Sequence, residues 1–135
     1  MGITSILGRL RTWWSERQAA RVIVSRSVSC DAVGVLQVDR FAEQEEEFRV
    51  RWDEVSAVFA YKRDCFAFDK IYIALADAAD KIRVEISEDD AGYESLISEL
   101  PKYLPGCLAH NDWFLRVAVP AFETNWTELY RRPAC

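Results

Sequence analysis

Cys107 and His110, followed by Asp112, form the pattern in this sequence that most resembles a catalytic centre. A nucleophilic thiol needs a base that lowers its pKa, and His110 is the only histidine of the chain. However, Pro105 and Gly106 precede the pair, and no nucleophile elbow surrounds it. We therefore interpret Cys107 as a buried structural thiol and predict no catalytic residues.

A second group of reactive side chains surrounds a predicted hairpin. Lys62, Arg63 and Asp64 precede the turn, and Asp69 and Lys70 follow it. Paired carboxylates can perform acid–base chemistry when a shared pocket separates their pKa values. Because turn ends commonly carry such charges without chemistry, we predict ion pairs or turn caps here. Lys62, Arg63 and Asp64 are also candidates for contact with a partner.

Metal and cofactor motifs are absent from the sequence. The five glycines form no phosphate loop, and no zinc-protease or EF-hand pattern occurs. Cys30, Cys65, Cys107 and Cys135 contain no C-x-x-C pair, which argues against zinc ribbons and thioredoxin-like redox motifs. We predict no metal and no cofactor.

The first 18 residues are predicted to form an amphipathic helix. Its apolar residues fall within an arc of about 120° at helical spacing, with Arg9 and Arg11 on the flanks; they are Ile3, Ile6, Leu7, Leu10, Trp13 and Trp14. Packing on its own domain is the favoured interpretation. A partner or a second copy is the next, and peripheral contact of residues 3–14 with a membrane surface is the third. Arg9, Arg11, Trp13 and Trp14 are therefore candidate binding residues.

The charge of the chain is divided unevenly. The net charge is -5; residues 1–26 hold five arginines against one glutamate, and the remainder holds 12 basic against 21 acidic residues. This balance argues against nucleic-acid binding and suits a basic partner. The acidic run at residues 43–47 is most simply a solvated loop. Its alternative function is to mimic an anionic ligand, as an inhibitor of a basic toxin would.

The sequence predicts a cytoplasmic location, with the inner face of the membrane as the alternative for a peripheral protein. No apolar run approaches the roughly 18 to 20 residues needed to cross a bilayer. The first twenty residues also lack the layout of a secretory signal, so we expect reduced thiols.

After the first helix the apolar period changes from 3.6 to 2. Alternating runs predict five or six short antiparallel strands, near residues 22–25, 33–38, 48–52, 55–61, 71–75 and 82–86. Asp89 or Asp90 is predicted to cap a helix that reaches about Leu104. The aromatic tail, residues 106–135, is predicted to pack on the domain, with Trp126 and Tyr130 as candidate binding residues. We divide the single domain of residues 1–135 into the first helix (1–18), the sheet and its helix (20–105) and this tail.

One stretch resembles uncharacterised bacterial families of the pleckstrin-homology-like superfold. The resemblance lies in Trp52-Asp53-Glu54-Val55 through Tyr61-Lys62-Arg63-Asp64, then in residues 71–75, 82–86 and 92–104. In those families a strand that opens with Trp-x-x-Val or Ile leads into a meander closed by one helix. The resemblance implies binding rather than catalysis. Phosphoinositide binders carry several basic residues near the first hairpin, whereas residues 25–34 offer only Arg26.

The sequence thus predicts an α+β fold, with an antiparallel meander sheet or open barrel of the pleckstrin-homology-like type, an N-terminal amphipathic helix and a C-terminal capping helix. The predicted function is a non-enzymatic binding module for protein or membrane-surface contact, with a protein partner or self-association. The alternative is a small acidic immunity-type inhibitor of a basic toxin, and a Cys/His enzyme is the third hypothesis.

Overall fold

The computed structural model describes residues 22–64, 69–121 and 123–134, which form seven antiparallel strands, two α-helices and a short 3-10 helix at Trp52–Glu54. The predicted helix of residues 1–18 lies outside the described residues. One sheet has the order β1-β2-β3, with β1 Ser25–Cys30, β2 Gly34–Arg40 and β3 Glu45–Arg51. The other has the order β6-β5-β4-β7, with β4 Ala57–Asp64, β5 Asp69–Ala76, β6 Ile82–Ser87 and β7 Thr127–Arg131. The helices are α1, Tyr93–Tyr103, and α2, His110–Ala118.

The predicted α+β class is confirmed, and the two sheets are not closed into a barrel. Where β6 approaches β3, Arg83 crosses the gap and donates from Nη2 to the carbonyl oxygen of Arg49 at 2.9 Å. The same guanidinium lies 3.7 Å from Glu54 and 3.4 Å from Asp77. A side chain therefore joins the sheets here.

The first strand begins later than its apolar pattern predicts. Val22 and Val24 are exposed and precede β1, which begins at Ser25, where the first predicted strand ends. Along β1, the side chains of Val28 and Arg26 point to the same, inward side of the strand. A charged residue is tolerated there because Asp39 of β2 pairs with Arg26. A count of apolar residues cannot detect a strand whose inward charge depends on a neighbouring strand.

The beginning of α1 also differs from the prediction. Gly92, with a φ of 91°, precedes the helix, and Asp90 instead accepts a hydrogen bond from the backbone N–H of Ser87 at 2.7 Å. A side chain at position 92 would collide with the carbonyl oxygen of Val28. Glycine is therefore required because β1 and the start of α1 approach closely. Pro101 lies in the last turn of the helix, which continues to Tyr103.

The predicted aromatic tail contains α2 and β7. Thr127–Arg131 adds an edge strand beside β4, with a register shift between Val58 and Phe59. We did not predict this strand, because its two buried residues, Leu129 and Tyr130, are adjacent and do not alternate. Pairing across some seventy residues of sequence decides the conformation of this segment.

Two apolar clusters lie on opposite faces of the four-stranded sheet. The main core brings together residues of both sheets and both helices, including Val28, Val50, Val58, Ile73, Leu75, Val84, Ile86, Leu96, Leu100, Trp113 and Val117. The second, which we call the outer cluster, consists of Ala57, Phe59, Tyr61, Ala74, Ala76 and Ile82, with Tyr72 and Trp126 packed against it.

A group of buried polar residues links the two sheets. In this polar cluster, Arg26 holds Asp39 through two hydrogen bonds, Nε to Oδ1 at 2.6 Å and Nη2 to Oδ2 at 3.0 Å. Gln37 donates to Asp39 at 2.9 Å and accepts from the backbone N–H of Glu85 at 2.8 Å. Tyr61 donates to the Glu85 carboxylate at 2.5 Å. The cluster therefore connects β1 and β2 with β4 and β6.

Burial sets the electrostatics of the polar cluster. Asp39 is fully buried, Glu85 is 2% exposed, and the Arg26 side chain is 10% exposed. Burial lowers the pKa of Arg26, but the hydrogen bond and negative charge of Asp39, helped by Glu85, raise it above its ordinary value overall. Burial and the Glu85 charge raise the pKa of Tyr61, so its hydroxyl keeps the proton that it donates.

We expect Asp39→Asn to lower the free energy of unfolding by about 3–5 kcal/mol, because it leaves a buried guanidinium without its charged partner. Urea unfolding at pH 7 measures this loss. The matched control is Glu45→Gln in the same sheet, since Glu45 pairs with Arg40 at 2.8 Å while both side chains are at least half exposed. The control should lose less than about 1 kcal/mol. Equal losses would contradict a stabilising role specific to the buried pair.

Candidate functional site

A groove between α1 and α2 is the candidate functional site. Its volume is about 470 Å³. The turn after β6, one face of α1 and the start of α2 line it, through Glu88, Tyr93, Glu94, Ile97, Ser98, Pro101, Ala109, His110 and Phe114. Residues four apart lie on one face of a helix, so α1 and α2 each present a continuous wall.

The groove has an apolar floor and one aromatic wall. Tyr93 and Ile97 are each 8% exposed, and Phe114 is half-buried. The exposed His110 ring lies 4.9 Å from the Phe114 ring and meets Trp113 edge-on at 5.1 Å, between ring centroids. These rings give α2 a flat surface on which a planar or aliphatic group can pack.

The rim of the groove is acidic. Glu88 and Glu94 are exposed, and the described residues that line the groove include no Lys or Arg. Glu88 accepts from the backbone N–H of Ile71 at 3.1 Å, which holds its carboxylate at the mouth. Burial, with a contribution from Glu88, raises the pKa of Tyr93, so the phenol stays neutral. The groove therefore favours apolar groups that carry positive charge.

Lys62 is buried and positions α2. Its Nζ donates to the carbonyl oxygens of Ala118 at 2.8 Å and Pro120 at 2.6 Å, and lies 3.1 Å from Asp69. A cation at the C-terminal end of a helix satisfies carbonyl groups that lack partners within the helix. The predicted contact residue Lys62 thus holds the end of a helix whose beginning forms a wall of the groove.

The other predicted binding residues lie away from the groove. Arg63 is half-buried, with its guanidinium 5.3 Å from the centre of the Tyr72 ring. Asp64 ends β4, opposite Asp69 in the backbone register. Tyr130 is buried.

Trp126 packs its ring on Phe59 and Tyr61, with centroids 4.8 and 5.0 Å away. Arg9, Arg11, Trp13 and Trp14 lie outside the described residues. The binding role predicted for all these residues stays a prediction.

The two described thiols have poor nucleophilic character. Burial raises the pKa of Cys107 to about 12, and its Sγ lies 3.8 Å from the carbonyl oxygen of Leu108. Burial, with a contribution from Glu99, also raises the pKa of Cys30. A reactive cysteine needs the opposite shift, which nearby positive charge or a base would produce.

The acidic run at residues 43–47 is partly a strand. Glu45 begins β3, so the predicted loop ends there. Glu45 pairs with Arg40 at 2.8 Å, and Glu47 lies 3.2 Å from Arg49. These arginines compensate part of the charge that a decoy surface would present.

No sequence pattern marks the groove, because its walls belong to two helices whose relative position depends on packing. The i, i+4 pair of His110 and Phe114 was visible, but on its own it indicates only a helix face.

The described residues contain no group of three or more His, Cys, Asp or Glu that could hold a metal ion. Of the helices that the structure describes, none is long and apolar enough to cross a membrane. The chain matches no protein-family model, no curated protein and no solved structure.

We expect iodoacetamide to modify Cys107 at least about 100-fold more slowly in the folded protein at pH 8 than in urea. With a thiol pKa of about 12, roughly one molecule in 10⁴ carries the thiolate at that pH. The rate should rise with pH, because deprotonation creates the reactive form. Mass spectrometry of the peptide that contains Cys107 measures the rate, and equally fast labelling of folded and unfolded protein would contradict the expectation.

Proposed function

We propose that this protein is a non-enzymatic binding module and that the groove between α1 and α2 takes an apolar, positively charged segment of a partner protein. The observation that carries the proposal is the combination of an aromatic wall, an apolar floor and two carboxylates in one groove. Both walls are helices of the main core, so the site is largely formed before binding.

The dimensions of the groove suit a helical segment. Its volume of about 470 Å³ lies within the roughly 300–1,000 Å³ of typical ligand sites. The lining part of α1, from Tyr93 to Pro101, is about 12 Å long, or a little over two helical turns. Two apolar anchor side chains one turn apart therefore match the length of this wall, as in other cases where a helix lies in a groove.

The negative charge at the rim of the groove favours a basic partner. Glu88 and Glu94 at the rim attract Lys and Arg side chains and repel acidic segments. A guanidinium can also stack on Phe114, which adds a cation–π contribution. The acidic excess of the chain after residue 26 acts in the same direction and disfavours nucleic acid. The raised pKa of Cys107 supports the non-enzymatic part of the proposal.

Two finer hypotheses accompany this function. Two antiparallel meanders in chain order, β1-β2-β3 and β4-β5-β6, with α1 directly after β6, support the relation to the pleckstrin-homology-like superfold. α2 and β7 depart from its single closing helix. The free thiols of Cys30 and Cys107 support a reducing compartment such as the cytoplasm.

A defined probe tests the groove. We expect a 14-residue amphipathic peptide of Leu and Lys to bind the full chain, and its Leu and Glu counterpart not to bind. Backbone NMR shifts should concentrate on α1 and the start of α2. Glu94→Lys should raise the Kd of the Leu/Lys peptide at least about tenfold, which corresponds to about 1.4 kcal/mol. Fluorescence anisotropy measures the Kd.

Glu43→Lys is the matched control, because Glu43 is exposed in the loop before β3 and undergoes the same change of charge. It should change the Kd less than about threefold. An equal effect of both variants would reveal unspecific attraction. NMR shifts outside the groove, or binding of small apolar molecules without the peptide, would also overturn the proposal.

A further inference from the structure

The outer cluster forms a shallow trough on the second face of the four-stranded sheet. Ala57 of β4 lies opposite Ala76 of β5, and Phe59 lies opposite Ala74. One end of the face therefore carries small side chains, and the other end carries the rings of Phe59 and Tyr61. Small side chains let a helix approach a sheet closely, and the large rings at the other end limit how far the helix can extend along the face.

This face is closed to water. Phe59, Tyr61 and Ala74 are fully buried, and Ala57 and Ala76 are 1% exposed. Among the described residues, Tyr72 and Trp126 pack against the cluster, and Trp126 stacks on its aromatic end. The Arg131 guanidinium lies 5.6 Å from the centre of the Phe59 ring. These two rings and one guanidinium lie at the aromatic end and give too little cover for six side chains spread over three strands. Complete burial of the alanine end requires a further apolar element.

We propose that the apolar stripe of residues 3–14 packs on the outer cluster, so that the N-terminal segment completes a second core of its own domain. A 12-residue helix is about 18 Å long, enough to cover the roughly 13 Å over which this face extends along β4 from Ala57 to Tyr61. The stripe includes two tryptophans and four aliphatic residues, and the trough offers the small side chains that such groups need.

The course of the chain near residues 22–26 is consistent with residues 3–14 as the segment that covers this face. The described fold begins at Val22, and four residues later Arg26 donates to the carbonyl oxygen of Glu85 at 3.1 Å. Glu85 in turn accepts from Tyr61 of the outer cluster. The described chain therefore passes close to the rim of this face four residues after Val22. Residues 15–21 can span up to about 23–25 Å, enough to bring the stripe over the sheet.

Of the three interpretations of the stripe, packing on its own domain is the one that this arrangement favours. Apolar side chains of residues 3–14 that fill the trough cannot at the same time contact a bilayer or a second copy. The proposal rests on the outer cluster alone and is independent of the groove between α1 and α2.

Site-specific photo-crosslinking in the full chain tests the proposal. With p-benzoylphenylalanine in place of Leu10, we expect crosslinks within one chain to the peptides of β4 or β5 that carry Ala57, Phe59, Ala74 and Ala76. The matched control places the same group at Thr12, on the back of the predicted helix, and should not give these products. Mass spectrometry locates the crosslinks.

A stability measurement supports the same test. The double variant Leu7→Asp and Leu10→Asp should raise the unfolding equilibrium constant about 100-fold or more, because each Asp would enter an apolar contact. The pair Thr4→Asp and Thr12→Asp, on the back of the predicted helix, should change it less than about threefold.

Crosslinks between chains would assign the stripe to a second copy and overturn the proposal. Cosedimentation with vesicles of phosphatidylcholine and phosphatidylglycerol, lost in the Leu7 and Leu10 double variant, would overturn it in favour of the membrane. Equal stability of the two double variants would also overturn it.

Discussion

The contacts that the buried Arg26–Asp39 pair and Gln37 of one sheet make with Glu85 of the other are the constraint on which the polar link between the two sheets depends. The sheets share no backbone ladder, so their relative position must come from side chains. Charges that leave water recover the cost only with good geometry and further hydrogen bonds. Gln37 donates to Asp39 and accepts from the backbone N–H of Glu85, and Arg26 donates to the carbonyl oxygen of Glu85. These bonds hold β1 and β2 beside β6. A shift between the sheets would separate the buried Glu85 carboxylate from Arg26 and the Glu85 backbone N–H from Gln37.

The shape of the groove also depends on contacts between segments that are far apart in the sequence. Gly92 allows β1 to approach the start of α1, and Lys62 holds the end of α2. Neither residue lines the groove, yet together they place its two walls. Lys62 also shows that a charged residue near a turn can serve the interior, because it reaches carbonyl oxygens more than fifty residues away in sequence. The acidic rim and the aromatic wall then determine the chemistry of the partner that we propose.

Local patterning predicted much of the secondary structure. Alternating apolar residues indicated the strands near residues 55–61, 71–75 and 82–86, and a helical stripe indicated α1, because these elements bury one face on a common core. The sequence did not predict β7 and placed β1 too early in the chain, and both errors have the same reason. The stability of these strands comes from pairing with another strand, and for β1 from the Arg26–Asp39 contact as well, which no window of sequence contains.

By itself, the sequence determined the α+β class, the acidic character after residue 26 and the lack of a recognisable catalytic motif, because these depend on composition and short-range periodicity. Only the tertiary structure decided that Lys62 is buried, that Cys107 has a raised pKa and that α1 and α2 enclose a groove. Those properties arise from burial and from distances between segments far apart in the chain, and both exist only after folding.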